Sequence, residues 1–170
     1  MTLLARMLRS NRAAAAVEMA LVSPLLLILI MGCLELGNYF LDEHVLVAAV
    51  RDGARFAART GFDNYSNCPG PSTPTGTVEN DTRSVVKTGY ISGGSDRLAK
   101  WNRSTISVRY TCSTSANGTA LSGIYAGMAT GAPIVTVSAT VPYVPILASY
   151  GFRGTGYNLN AKQQALVMGI

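Results

Sequence analysis

Three features of the sequence predict an α+β fold: a long uncharged run near the N-terminus, a helical apolar period directly after it, and short alternating segments in the C-terminal half. Together they describe one long N-terminal helix packed on a small antiparallel sheet of about three strands. The helix is apolar enough in its first half to span a membrane and amphipathic in its second. The 170 residues suit one domain plus a terminal segment and are few for two independent cores. Hydrophobic residues make up 48% of the chain and charged residues 14%, a balance that excludes a disordered, solvated polymer. The net charge of +5 is concentrated at one end. Arg6, Arg9 and Arg12 precede the first acidic residue, Glu18, and without them the chain carries only +2. The remaining cations are scattered and not interleaved with aromatics, so no nucleic-acid partner is expected.

In chain order, residues 1–13 read as a basic cytoplasmic leader and residues 14–35 as a transmembrane helix. Met19 to Leu34 is sixteen residues without a charge, and extending back to Ala13 gives twenty-two with Glu18 as the single ionised group. About 20 apolar residues cross the ~30 Å hydrocarbon layer as a helix. The arginines on one flank hold the N-terminus in the cytoplasm and send the rest of the chain across. Three simpler readings of the segment stay open. A cleaved secretory signal would need a small-x-small site, and the run beyond Leu34 offers none. A lipoprotein signal is suggested by Ile30-Met31-Gly32-Cys33, with attachment through Cys33, although helix rather than a flexible tether follows. The third is an uncleaved anchor carrying a periplasmic binding domain. A plain anchor leaves Glu18 unexplained, because a carboxylate near the start of a spanning helix costs a few kcal/mol unless it is paired.

The stretch Arg12-Ala13-Ala14-Ala15-Ala16-Val17-Glu18-Met19-Ala20-Leu21-Val22, followed by Pro24, resembles the processing site of TadE-like pilus assembly proteins, a branch of the type IV pilin superfamily. The resemblance implies that a prepilin peptidase cuts between Ala13 and Ala14, leaving Glu18 fifth in the trimmed chain. The family more often has Gly at the position of Ala13. Cleavage would create an α-amino group able to neutralise Glu18, its own or a neighbour's, among packed apolar helices, so that Glu18 sets register in an assembly. Pro24 removes one backbone donor and tends to kink a helix, which membranes tolerate when other groups re-satisfy the backbone. The resemblance further implies a pilin-like fold and a single-pass inner-membrane protein with a periplasmic C-terminal domain, found at the tip or base of a pilus. Such a protein acts as a minor pilin or pseudopilin, a structural or initiating subunit in Tad (Flp) pilus assembly and surface attachment. The implied partners are the peptidase, related TadE- and TadF-like pseudopilins, the major Flp pilin, the inner-membrane pilus platform and membrane lipid.

Residues 36–60 continue with helical period as an amphipathic stem. Leu36, Phe40, Val47, Val50, Ala54, Ala57 and Ala58 are expected on the buried face, and Asn38, Asp42, Asp52, Arg55 and Arg59 on the other. A continuous helix from Ala14 to Thr60 would be about 70 Å long. Arg51-Asp52-Gly53-Ala54-Arg55 resembles a short TadE-like motif at this distance from Glu18. Asp52 and Arg55 are spaced to pair at i, i+3. Gly53 either lets another element pack close or is an ordinary glycine of a surface turn.

Residues 61–170 form the predicted extracytoplasmic α+β head. Gly61 to Thr77 is rich in Gly, Pro, Ser, Thr and Asn and reads as a long loop. A helix is expected over Val78 to Thr88. Strands are expected over Thr105 to Cys112, over Val135 to Tyr143 and, after a proline-marked bend and a glycine turn, over Asn158 to Met168. Cys68 and Cys112 both lie in the part expected outside the cytoplasm, where thiols pair. A bridge closing their loop is worth about 4 kcal/mol in the chain-entropy model. Cys33 is read as a small apolar filler.

No enzyme, cofactor or metal site is expected. His44, the single histidine, stands beside Asp42 and Glu43 on a helix, and consecutive helical residues point in different directions. Ser84-Val85-Val86-Lys87 and Lys87-Thr88-Gly89 match the SxxK and KTG motifs of penicillin-recognising acyltransferases. In those enzymes the two motifs lie on separate elements, and here they share Lys87. No Walker loop, GxSxG elbow or dinucleotide fingerprint occurs.

Overall fold

The computed structural model describes residues 11–66, 72–102, 105–114, 121–128, 131–151 and 156–169. The alanine and leucine content of the N-terminal third favours helix throughout, and a single helix, α1 (Asn11–Ala58), runs for 48 residues with Pro24 inside it. At 1.5 Å per residue its length is about 72 Å. It ends two residues before Thr60, where side chains of the head take over its last carbonyls. The Thr60 and Tyr65 hydroxyls donate to Ala57 O at 2.7 and 2.6 Å, and the Met168 amide donates to Ala58 O at 2.7 Å. Groups that a helix terminus leaves orphaned are thereby satisfied by the domain it enters.

The second helix, α2 (Val78–Thr88), has the expected bounds. Glu79 and Asp81 in its first turn and Lys87 in its last complement the helix dipole. Gly89 closes it in the left-handed conformation, φ 87°, with its N–H on Val85 O. The strands β1 (Ile106–Ser113), β2 (Ala132–Pro142) and β3 (Asn158–Leu166) form one antiparallel sheet in the order β1-β2-β3. All three expected strands are present, with no end shifted by more than three residues.

Alternation sets the register. Ile106, Val108 and Tyr110 oppose Ala139, Val137 and Val135 on the inner face, and Val141 opposes Leu159. A slip of one residue would turn these toward solvent. Ser107, Arg109, Thr136, Ser138, Lys162 and Gln164 lie on the outer face. The core forms where the inner face meets Leu46, Ala49, Val50, Ala54, Ala57 and Ala58 of α1, closed at one side by Val86 of α2 and by Trp101. The first half of α1 takes no part in it: its apolar residues from Val17 to Ile30 are exposed. Among the described residues α1 alone is long and apolar enough to cross a membrane.

One expectation is corrected here. Leu36 and Phe40 do not join the buried face; they are 55% and 57% exposed, and the buried stripe is centred instead on Leu46, Ala49, Val50, Gly53 and Ala57. Helical periodicity measures which residues share a side; the fully buried residues of α1 begin only at Leu46, and there small alanines let the sheet, and Gly53 lets α2, approach closely. The segment expected as a loop carries a short turn at its start. Phe62–Tyr65 forms a 3-10 turn that buries Tyr65 edge-on against Tyr110, ring centroids 5.2 Å apart. Burial pushes the Tyr65 phenol above the ordinary tyrosine range, the Thr60 hydrogen bond acting against it and Tyr110 with it.

Candidate functional site: the stem and its junction with the head

Glu18 lies one helical turn beyond Ala14, the i, i+4 spacing at which the two residues share a side of the helix. Its side chain is exposed, as are those of Ala14 to Ile30 around it. None of the ion pairs among the described residues involves Glu18. The helix carries through Pro24 without a break. Arg6 and Arg9 of the leader and the side chains of Arg12 and Ala13 fall outside what the structure describes.

At the opposite end of the apolar run stands a feature that sequence reading missed. Glu35 is the first charge after Leu34, and both of its carboxylate oxygens are engaged by the head. The Tyr143 hydroxyl donates to Oε1 at 2.5 Å and the Leu147 amide donates to Oε2 at 3.1 Å. Asn38, one turn on, donates through Nδ2 to the Tyr143 hydroxyl at 3.0 Å. The Tyr39 ring stands edge-on to Tyr143, centroids 5.2 Å apart. Burial first, and then the hydrogen bond and charge of Glu35, push the Tyr143 phenol above the ordinary tyrosine value, while the Asn38 bond acts in the opposite direction. The arrangement is a latch between the end of β2 and the point where α1 leaves its apolar half. Charge-assisted bonds of this kind are about twice as strong as neutral ones. The sequence signal was available: a lone acid ending an uncharged run needs a partner for the same reason that Glu18 does.

Further along α1, the Arg51–Arg55 motif meets α2. A Cβ placed on Gly53 would collide with the Val86 side chain and lie 3.6 Å from Thr82 Cγ2, so the absence of a side chain there sets the distance between the two helices. Gly53 and Ala54 are buried, while Arg51 and Arg55 face solvent. Asp52 does not take Arg55 as its partner. It pairs with Arg97 at 2.9 Å, and Arg97 in turn donates its amide to Lys87 O. A cross-element guanidinium competes successfully with the i, i+3 neighbour because it is held in place by its own backbone bond.

Cys33 is exposed and free on α1. Cys112, on β1, is not a free thiol; Cys68 falls outside the described residues. Ser72 joins β1 through an antiparallel bridge in which it and Tyr110 exchange both backbone hydrogen bonds, 2.8 and 3.0 Å. His44 is exposed, and no group of three His, Cys, Asp or Glu side chains suited to a metal occurs among the described residues. Ser84, Lys87 and Thr88 all lie on α2, where Ser84 and Thr88 bond back to Asn80 O and Ser84 O and Lys87 pairs with Asp96 at 3.1 Å.

The helix that carries Glu18, Pro24, Glu35 and Gly53 is also the part of the chain that resembles known proteins. Residues 13–55 match the TadE-like protein family. The TadE-like segment starts at Ala13 and ends at Arg55, so it spans the apolar half of α1 and the Arg51–Arg55 motif and leaves the sheet and α2 outside. No curated protein and no solved structure matches the chain.

Proposed function

We propose that this chain is a minor pilin or pseudopilin of a Tad (Flp) pilus, anchored in the bacterial inner membrane by residues 14–35 and exposing residues 36–170 to the periplasm. The observation that carries the proposal is the TadE-like match over residues 13–55, on a helix whose apolar half is fully exposed. A helical stretch that is predominantly apolar on every side and packs against none of the described residues requires lipid or other helices around it. Its mechanism is packing. A prepilin peptidase removes residues 1–13, the new α-amine of Ala14 neutralises a Glu18 carboxylate, and the trimmed helix joins a bundle of like helices with related pseudopilins, the major Flp pilin and the inner-membrane platform. The Glu35–Tyr143 latch carries the orientation of the helix into the head, which makes the two move as one body when the subunit is extracted or docked. Cys68 and Cys112 form a disulfide in the oxidising periplasm; support comes from the engaged state of Cys112.

N-terminal sequencing of the membrane-resident protein tests this reading. Ala14 as the first residue supports it. Met1 identifies an uncleaved anchor and a blocked Cys33 a lipoprotein, and either result overturns it. Glu18→Ala is expected to be trimmed normally and to abolish incorporation, because the neutral side chain leaves the amine unpaired in an apolar bundle. Normal piliation by that variant would refute the role given to Glu18.

A further inference from the structure

We infer that the head is seated on the lipid surface, with Tyr157 and the cleft beside it lying in the headgroup layer next to the emerging helix. The inference rests on the reading that residues 14–34 cross a bilayer. Twenty-one residues at 1.5 Å each give about 31 Å, the thickness of the hydrocarbon core, and the headgroup layer adds roughly 5–7 Å on each side. Counted from Ala14, that layer begins at Glu35 and ends near Tyr39. The head meets the helix within this interval. A cleft of about 460 Å³ is lined by Gly32, Glu35, Leu36, Tyr39, Tyr143 and Tyr157, and its wall is mostly apolar. Tyr157 is 66% exposed and belongs to the head, fixed by the bond from the Tyr143 amide to its carbonyl at 3.0 Å.

Two observations select lipid rather than a second copy as the occupant. The lining combines apolar surface with three tyrosines, the residue type that concentrates where a membrane meets water because its ring is apolar and its hydroxyl polar. The exposed apolar side chains about this level, Leu36 on the rim of the cleft and Leu34, Phe40 and Leu41 beside it, spread over about 160° of arc at 100° per residue. A partner helix covers a stripe of about 100° of arc; a bilayer surrounds the helix. The acid at the same level is no obstacle, since both Glu35 oxygens already accept bonds from the head. Charged residues resume only at Asp42 and Glu43, above the layer.

The full chain, reconstituted in phosphatidylethanolamine–phosphatidylglycerol vesicles containing a phospholipid brominated on its acyl chains, reads this directly. The native Trp101 is buried in the core of the head and supplies a constant background. Tyr157→Trp places an indole in the cleft, Ile124→Trp places one on an exposed position of the head toward the far end of α1, and Leu27→Trp places one within the apolar run. The expectation is that Tyr157→Trp loses about half of its added fluorescence to the brominated lipid, as an indole in the interfacial layer should, while Ile124→Trp loses none. Quenching of Leu27→Trp without quenching of Tyr157→Trp overturns the seat and leaves the membrane span standing. Protection of Tyr157→Trp from aqueous acrylamide that grows with protein density, without lipid quenching, assigns the cleft to a second copy and likewise overturns it. Absence of quenching at Leu27→Trp removes the span itself and the seat with it.

Discussion

Gly53→Ala sets two well-measured effects against each other at one position. In an isolated helix the change is favourable, because alanine is about 1 kcal/mol better than glycine in a helix interior. In this protein the added Cβ collides with the Val86 side chain of α2, and overpacking of a filled core costs about 1–3 kcal/mol. The net expectation is a loss of about 1 kcal/mol, so the packing term decides the sign. Val86→Ala alone removes two buried methyl groups, about 1.6 kcal/mol of transfer free energy at 0.8 per carbon, with a cavity term in addition. In the double variant the alanine at 53 enters the space the valine methyls leave, so the two losses should not add. A coupling of about 1 kcal/mol in favour of the double variant is expected. Thermal unfolding of the full chain in detergent, followed by the near-ultraviolet signal of buried Trp101, measures all four corners. For a head of this size 1 kcal/mol corresponds to about 4 °C in Tm. A rise in Tm for Gly53→Ala, or strict additivity in the double variant, would refute the claim that close approach of α1 and α2 is what this glycine provides.

The remaining predictions concern the latch and the sheet. Tyr143→Phe leaves Glu35 with the Leu147 amide as its partner from the head, and loss of a bond to a charged group should cost about 1.5–3 kcal/mol; faster hydrogen exchange of the Leu147 amide would register it, and unchanged protection would argue against a latch. The phenols of Tyr65, Tyr125 and Tyr143 are all raised above the ordinary tyrosine value, with burial the first cause in each. Because the folded state holds these protons more tightly than the unfolded state, their contribution is complete below pH ~10 and is lost as pH rises through the folded values. Urea midpoints should therefore stay level to about pH 9 and fall beyond pH 10, with the fall blunted in Tyr143→Phe and Tyr65→Phe. Cys68→Ser and Cys112→Ser should each remove about 4 kcal/mol if the two form the proposed bridge. Equal melting temperatures with and without reductant would exclude it.

These tests bear on a division of labour within one helix. Its apolar half has no use inside the chain, where none of its side chains from Val17 to Ile30 is covered, and its second half supplies one wall of the core. Glu18 and Glu35 stand near opposite ends of the apolar half, and they differ in a way that matches the proposed function. Glu35 is satisfied within the subunit by Tyr143 and Leu147. Glu18 lacks such a bond from the described head, which fits a group whose partner is created by trimming and found in an assembly.

The long helix, α2 and all three strands were legible in the sequence because each rests on a local signal: an uncharged run, acids and a lysine at the two ends of a short helix, and alternation along a strand. The same locality explains the errors. Leu36 and Phe40 fall in period with Val47 and Val50, yet the fully buried residues of α1 begin only at Leu46, and period alone does not tell how far along a helix the packing extends. Asp52 is spaced to pair with Arg55 three residues on, and the fold supplies Arg97 from forty-five residues away. The Glu35, Asn38 and Tyr143 cluster spans more than a hundred positions and has no periodic trace.

What the sequence determined by itself is therefore the inventory of elements and the chemistry of the apolar run, since hydropathy, charge and periodicity are properties of neighbouring residues. Tertiary structure alone decided which face of α1 is buried, why Gly53 has no side chain, and that the acid at the end of the apolar run is fastened to the head. Those outcomes depend on distances between residues far apart in the chain, and such distances exist only once the sheet has closed on the helix.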